Sequence, residues 1–148
     1  VEVEPVVDGV LGLLCHDLAL REIAVQKTVP PHLPRVFVDR RQLQEILFNL
    51  IRNAGQAIGQ QGTVTVRAHA DGAERVAIAI ADTGCGMAPE QLQRLFTPFF
   101  TTKADGEGSG LGLFVVKRLV ERNEGTITVQ SEPGVGTTFT LEFPVAPS

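Results

Sequence analysis

Apolar residues spaced three and four apart indicate three amphipathic helices. They fall at residues 6–20, 41–58 and 111–122, and the second has the strongest stripe. Asp39 precedes that segment and is its expected N-cap, because an aspartate side chain can accept a hydrogen bond from the first turn. A weaker pattern predicts a short helix at residues 90–95.

Alternation of apolar and polar residues predicts five strands, at residues 23–29, 63–70, 75–81, 126–131 and 137–143. The second and third flank Asp71-Gly72, a pair typical of antiparallel hairpins. Helices interleaved with hairpins predict an α/β (α+β) two-layer sandwich, in which a mixed, mainly antiparallel sheet of about five strands packs against three main helices. The 148 residues suffice for one core, so we expect a single domain over residues 1–148.

Composition narrows the classes of partner. A formal net charge of −4 provides no general attraction for nucleic acid or an anionic membrane, and we expect neither as a partner. Any polyanionic ligand must then be held by backbone amides and single cations. No apolar run approaches the length of a membrane helix, and Cys15 and Cys85 have neither disulfide-scaffold nor metal-ligand spacing. These features favour a cytoplasmic domain, whether or not a parent protein is membrane-anchored.

Two carboxamides on the second predicted helix are the first candidates for chemistry. Asn49 and Asn53 are four residues apart, so both side chains lie on one helix face, beside the apolar stripe. A carboxamide oxygen suits Mg²⁺, which is commonly shared between a protein oxygen and substrate phosphates. Taken alone, the pair is more typical of ordinary polar positions at the edge of a buried helix.

Two further features point to a nucleotide. Asp82 ends an apolar strand before a turn with two glycines, where a carboxylate can accept a hydrogen bond from an exocyclic amine such as that of adenine. An aspartate that only caps a turn would give the same pattern. The glycine-rich residues 106–113 open the third helix, an arrangement that presents free amides to phosphate but is weak evidence alone.

The order of these features is more specific than any one of them. Five segments closely resemble, in sequence order, the N, G1, F, G2 and G3 boxes of sensor histidine kinases: NLIRNA at 49–54, DTGCGM at 82–87, LFTPFFTTK at 95–103, GSGLGL at 108–113 and GVGTTF at 134–139. The resemblance covers nearly the whole chain. It implies an ATP-binding catalytic domain of a two-component signalling protein, with ATP and Mg²⁺ as cofactors.

The resemblance also implies a role for each matching residue. Asn53 would coordinate Mg²⁺, and Asn49 and Lys103 would serve the triphosphate side as the catalytic residues. Asp82 would recognise the adenine amino group. The other implied nucleotide contacts are Gly84, Gly86, Met87, Phe96, Gly108, Ser109, Gly110, Leu111, Gly112, Leu113 and Thr137. Residues 87–108 would form a mobile ATP lid, with Phe96, Phe99 and Phe100 as its hydrophobic latch.

Asn49 also bears on the reaction. Related ATPases of the gyrase, mismatch-repair and heat-shock chaperone type carry a glutamate at this position to activate water, and an amide has no useful basicity. The expected reaction is therefore phosphoryl transfer to histidine. Gln56 stands where some relatives carry a phosphate-touching lysine, which leaves that contact to Lys103 or Arg52.

The phosphate acceptor is expected outside this chain. His16 lacks the flanking residues of a phosphoacceptor motif, and His32 and His69 sit in a predicted loop and strand. The resemblance implies a histidine on a separate helical dimerisation domain of a homodimeric parent, with a response regulator receiver domain as an indirect partner and a monomeric fragment. The alternative is a catalytically silent module that binds nucleotide or a partner.

Overall fold

The computed structural model describes residues 1–96 and 112–146. The helices are α1 (Val3–Leu20), α2 (Arg40–Ile58), α3 (Pro89–Arg94) and α4 (Gly112–Arg122). The strands are β1 (Ile23–Thr28), β2 (Gly62–Asp71), β3 (Arg75–Asp82), β4 (Thr126–Glu132) and β5 (Gly136–Pro144). Most of the predicted lid, residues 97–108, lies outside the described residues.

The sheet confirms the predicted mixed arrangement. Its strand order is β1-β2-β3-β5-β4. Only β1 and β2 pair in parallel, and α2 is the crossover between them. The pairs β2 with β3, β3 with β5, and β4 with β5 are antiparallel. The predicted hairpin forms the β2–β3 connection, where Gly72 has a φ of +73° that a glycine adopts without strain.

The core lies between one face of the sheet and three helices. Alternate residues of the strands point into it, and α2 contributes a completely buried stripe. The strand residues include Val64, Val66, Ile78, Ile80, Leu141 and Phe143, and the stripe includes Leu43, Ile46, Leu47, Leu50 and Ile51. Helix α2 packs on β2 and β3 and lies between α1 and α4. From this central position, α2 reaches the turn that follows β3, because Ala57 near its end contacts Gly84 and Cys85.

The ends of two helices refine the sequence predictions. Asp39 caps α2 as expected, because its Oδ1 accepts a hydrogen bond from the backbone N–H of Gln42 at 3.0 Å. Helix α1 begins at Val3 rather than at residue 6. Val3 is buried and extends the apolar stripe, and Pro5 is tolerated in the first turn because no intrahelical donor is needed there.

The three histidines have the predicted surroundings. His16 lies on α1, His32 in the loop after β1 and His69 on β2, and all three are exposed. Across residues 1–96 and 112–146, no three His, Cys, Asp or Glu side chains gather in a way that could hold a metal ion. No helix in the described part of the chain has the length and hydropathy needed to span a membrane.

Candidate nucleotide-binding site

Asp82, the last residue of β3, lies buried at the floor of the candidate site. Its relative exposure is 9%, and it is paired across the sheet with Thr137 of β5. The Oδ1 atom accepts a hydrogen bond from the Gly84 backbone N–H at 2.8 Å. A second hydrogen bond comes from the backbone N–H of Thr137. The neighbouring backbone therefore fixes the direction of this carboxylate.

The environment of Asp82 also sets its charge state. Burial raises the pKa of its carboxyl above the ordinary value, because a charged form is costly to remove from water. The two backbone N–H groups, of Gly84 and Thr137, lower the pKa and oppose this rise. A buried carboxylate with some remaining acceptor capacity suits a donor such as an exocyclic amine.

Close packing requires a glycine in the turn after Asp82. A Cβ atom on Gly84 would lie 2.7 Å from the backbone carbonyl carbon of Ala57, the penultimate residue of α2. The next residue, Cys85, donates its backbone N–H to the Ala57 carbonyl at 3.3 Å. The turn is therefore held directly against the last turn of α2, which is possible only without a side chain at position 84.

The other side of this turn contacts the β4–β5 connection. Gly86 has a φ of +71°, and a Cβ atom there would collide with the backbone oxygen of Glu132. Gly134 donates its backbone N–H to the Cys85 carbonyl at 2.7 Å. Met87 donates its N–H to Ser131 Oγ at 2.8 Å. Two glycines and one hydroxyl thus join the β3 end to the β4–β5 turn.

Ser131 was not predicted as a site residue, although it connects three parts of this region. Its hydroxyl lies 2.8 Å from Thr137 Oγ1, donates to the Gly136 carbonyl at 3.1 Å and accepts from Met87. Thr137, which was predicted near the base, is buried with 5% relative exposure. Because a serine hydroxyl has one proton and two acceptor positions, Ser131 can satisfy all three contacts only if the Thr137 hydroxyl donates to it.

One face of α2 leads from the glycine turn toward the start of α4. Asn49, Asn53 and Ala57 recur at every fourth position and so share this face. Ala57 meets the Gly84 turn, and Asn49 Oδ1 lies 3.4 Å from where a Cβ of Gly112 would be, at the first residue of α4. At a rise of 1.5 Å per residue, Asn49 and Ala57 are about 12 Å apart, the scale of an extended nucleoside triphosphate.

The two asparagines were predicted to share a face, and the structure places them so. Both are half-buried. Asn49 donates its Nδ2 to the Glu45 backbone carbonyl at 2.8 Å, and its Oδ1 accepts a hydrogen bond from Arg52 Nη2 at 3.0 Å. Hydrogen bonds within α2 therefore fix the Asn49 amide before any ligand is present.

Three predicted contact residues with apolar side chains are packed against the core. Met87, Phe96 and Leu113 are each partly buried there. The Phe96 ring lies 5.1 Å from Lys117 Nζ, which connects the end of the α3 region to α4. The remaining predicted residues, Lys103, Gly108, Ser109, Gly110 and Leu111, lie outside the described residues, as do Phe99 and Phe100.

The described residues fit an adenine nucleotide in two respects. Asp82 at one end supplies a buried acceptor. Toward Asn49, Arg52 Nε is buried and has no hydrogen-bond partner, and nearer to Ala57 the buried Oε1 of Gln56 also has none. Buried polar groups are normally satisfied, so an orphaned donor and acceptor beside a row of amides indicate a polar ligand. The oxygen of Asn53 is the kind of donor that Mg²⁺ takes.

Comparison with known proteins assigns the class. The model of the histidine kinase-, DNA gyrase B-, and HSP90-like ATPase family matches residues 38–147. The match includes all described residues of the site. The chain belongs to this family, whose members bind ATP.

Within that family, the similar curated proteins are sensor histidine kinases. ZraS of Salmonella typhi is 44% identical over 145 residues, which cover 98% of this chain and 31% of that protein. AtoS of Escherichia coli (strain K12) is 40% identical over 115 residues, covering 78% of this chain and 19% of that protein. The chain therefore spans under a third of the length of these relatives and corresponds to their ATPase module.

Solved structures support the same assignment. The catalytic domain of histidine kinase ThkA superposes with a TM-score of 0.87 at 25% identity, covering 98% of this chain and 93% of that one. Full-length ShkA in complex with AMPPNP also gives a TM-score of 0.87, at 33% identity, covering all of this chain and 31% of that one. The predicted fold class is thereby confirmed.

Proposed function

We propose that this domain binds Mg-ATP and transfers the γ-phosphoryl group to a histidine on a separate helical dimerisation domain. The observation that carries the proposal is the α2 face. It runs from the Asp82–Gly84 turn at Ala57, past Asn53, to Asn49 at the start of α4. A base-recognising carboxylate, a metal-binding amide and a helix N-terminus follow each other at the spacing of a nucleotide.

Each described residue has a task in this proposal. Asp82 accepts a hydrogen bond from the adenine amino group, while Gly84 and Gly86 hold the turn beside the base close against α2 and the β4–β5 connection. Thr137 lines the same end. Asn53 would hold Mg²⁺ through its carboxamide oxygen, and the ion would neutralise charge on the phosphates. Asn49 serves the phosphate end. The nucleotide would also be lined by Met87, Phe96, Gly112 and Leu113. The phosphate side would be completed by Lys103 and residues 108–111.

Transfer is favoured over hydrolysis by the chemistry of Asn49. Its amide nitrogen donates a hydrogen bond to the Glu45 carbonyl, and its oxygen accepts one from Arg52. An amide of this kind cannot remove a proton from water, so the described α2 face offers no general base at this position. A neutral imidazole is already nucleophilic and needs less assistance from the protein.

The domain is proposed to act within a longer, homodimeric parent. Residues 1–148 would form one catalytic domain, monomeric when isolated, and the dimerisation and sensor regions would be separate. The response regulator receiver domain would be an indirect partner, through the phosphohistidine. We place the domain in the cytoplasm, where the exposed thiols of Cys15 and Cys85 remain reduced.

Transfer from labelled ATP tests the proposal directly. The chain is mixed with the histidine-bearing helical domain of a similar kinase, and acid-labile label on that domain is measured with and without Mg²⁺. We expect transfer that requires both the metal and the acceptor histidine. Binding of ATP without transfer would indicate the silent module, and steady phosphate release without an acceptor would indicate an ATPase.

Substitution of Asn53 separates metal binding from folding. We expect Asn53→Ala to abolish the Mg²⁺-dependent part of ATP affinity while the thermal midpoint changes little, because Asn53 lies outside the apolar stripe of α2. Titration calorimetry with and without Mg²⁺ measures this. Gln44→Ala, at an exposed position on the same helix, is the control. Equal losses of stability and binding in Asn53→Ala would show a structural role instead.

A further inference from the structure

Arg52 is a half-buried cation on the nucleotide-facing side of α2. Its Nη2 donates to Asn49 Oδ1 at 3.0 Å, and its Cζ lies 5.3 Å from the centroid of the Phe48 ring. Its Nε is buried and has no hydrogen-bond partner. The guanidinium is therefore fixed from two sides but still has an unused donor. Leaving a buried donor of a charged group unsatisfied is costly, so the geometry calls for an acceptor beside Nε.

Asn49 orients this guanidinium. The Nδ2 group is held by the Glu45 carbonyl at 2.8 Å, which turns Oδ1 toward Arg52. Both polar groups of the amide thus have a partner within α2, and these partners fix its orientation. Arg52 Nε, in contrast, has no partner at all, so an acceptor supplied by a ligand would satisfy a donor that the protein leaves unsatisfied.

The start of α4 lies close to the Asn49 amide that Arg52 contacts. Asn49 Oδ1, the acceptor of its hydrogen bond, lies 3.4 Å from the Cβ position of Gly112, where α4 begins. The start of a helix carries partial positive charge. Within residues 1–96 and 112–146, the ion pairs join Arg21, Lys27 and Arg35 to carboxylates and do not include Arg52. An anion between Arg52 and the start of α4 would be attracted to both and would accept from Nε.

We propose that Arg52 binds a phosphate group of the nucleotide and that Asn49 is a positioning residue that holds the Arg52 guanidinium. The inference rests on the proposed function, because it names the contact that recognises the phosphates of ATP. Among the described residues, the Arg52 guanidinium would thus contact the phosphate, and Asn53 would provide the metal ligand.

Nucleotides that differ only in phosphate number test this role. We expect the wild-type domain to bind ATP more tightly than AMP, and Arg52→Gln to lose at least about tenfold in ATP affinity, the size of one charge-assisted hydrogen bond. Affinity for adenosine should be unchanged, measured by calorimetry or competition. A contribution from packing alone would lower the affinities for adenosine and ATP equally, and that result would overturn the proposal.

Arg118→Gln is a matched control. Arg118 also lies over a phenylalanine, with its Cζ 5.6 Å from the Phe114 ring centroid, but it is exposed on α4. We expect this variant to bind ATP as the wild type does.

Arg52→Lys covers the case in which Arg52→Gln does not fold. A lysine keeps the positive charge but not the planar set of guanidinium donors, so this variant should lose part of its preference for ATP over adenosine. Full retention by Arg52→Lys would contradict the proposal.

A double-mutant cycle tests the role of Asn49. If Asn49 acts by holding Arg52, Asn49→Ala lowers ATP affinity in the wild type but adds little in the Arg52→Gln or Arg52→Lys background. Additive losses would show that Asn49 contacts the ligand itself, and would overturn the positioning role.

If the wild-type domain binds ATP no better than adenosine, the proposed function fails together with the inference. If it binds Mg-ATP and Arg52→Gln does so equally, only the inference fails.

Discussion

The two ends of the candidate site are built in different ways. At the base end, around Asp82, backbone groups make most of the contacts, and glycines allow the turn to touch both α2 and the β4–β5 connection. At the phosphate end, the described contacts are made within α2 by the Asn49 and Arg52 side chains, and Arg52 Nε has no partner. The base end is held together by its own backbone without ligand, while the phosphate end has a buried charged donor still to be satisfied.

This difference separates two kinds of substitution. A change at a glycine of the base end disturbs the packing of β3 against its neighbours, so folding and binding should suffer together. A change on the polar face of α2 leaves the buried apolar stripe untouched and should affect binding alone. On this face, affinity can therefore be altered without loss of the fold.

Gly86→Ala should have the largest effect at the base end. A side chain at φ +71° is strained, and its Cβ would collide with the Glu132 carbonyl, so the turn must move. We expect a loss of roughly 3 kcal/mol of stability, near the upper end for a single strained position with a backbone clash, together with loss of ATP binding. Denaturant unfolding and calorimetry measure both.

Gly72→Ala is the control for backbone strain alone. Gly72 has nearly the same φ, +73°, but no atom lies within 4 Å of its Cβ position. We expect a loss of about 1 kcal/mol, from strain only, and unchanged nucleotide affinity. Equal losses for Gly72→Ala and Gly86→Ala would mean that the turn after β3 is not tightly packed, and the contrast between the two ends of the site would be lost.

Asp82→Asn should reduce binding without unfolding the domain. The amide keeps the volume of the carboxyl and one oxygen to accept from the Gly84 backbone N–H. We expect ATP affinity to fall by about tenfold to a hundredfold, because a hydrogen bond to a charged group contributes roughly 1.5–3 kcal/mol. The preference for ATP over GTP should also narrow, since an amide can donate to a purine carbonyl. Asp71→Asn, at an exposed position, is the control.

Periodicity was sufficient to predict the fold because the elements are strongly patterned. The apolar stripe of α2 and the alternation in β2 and β3 each have one buried side, and Gly72 marks the turn between the strands. The start of α1 was placed three residues late, although the first helical turn, which contains Pro5, accepts a proline. The exact end of a helix depends on which residues are buried in the assembled core, and the local sequence pattern does not show this.

Candidate site residues could be named from the sequence, but the hydrogen bonds among them could not. Ser131 lies in the predicted strand at residues 126–131, and its partners Met87 and Thr137 come from other parts of the chain. The contact between Asn49 and Arg52 is different, because residues three apart on a helix are neighbours and this pair could have been predicted. The role of Ser131 was thus missed because it depends on hydrogen bonds to other segments of the chain.

Ser131→Ala should have a modest effect, again at the base end. The Met87 N–H would lose its acceptor at 2.8 Å, and the Thr137 hydroxyl would lose its neighbour. We expect a loss of about 1–2 kcal/mol of stability and a small decrease in ATP affinity, measured by denaturant unfolding and calorimetry. Thr128→Ala, at an exposed position of the same strand, should change neither. No loss in Ser131→Ala would show that the β4 hydroxyl does not support the turn after β3.

The pH dependence of stability should show the smallest effect, and its sign follows from the buried carboxyl. Because burial raises the pKa of Asp82 in the folded state above its unfolded value, the folded protein holds the proton more strongly. This contribution to stability is fully present below the unfolded pKa and is lost as pH rises through the folded pKa. Stability of the wild type relative to Asp82→Asn should therefore fall over that window and stay constant above it. Denaturant unfolding of both proteins across acidic pH measures the difference. A rise instead of a fall would mean that the Gly84 and Thr137 hydrogen bonds lower the pKa of Asp82 by more than burial raises it. The backbone contacts, and not burial, would then set the charge state of the base end.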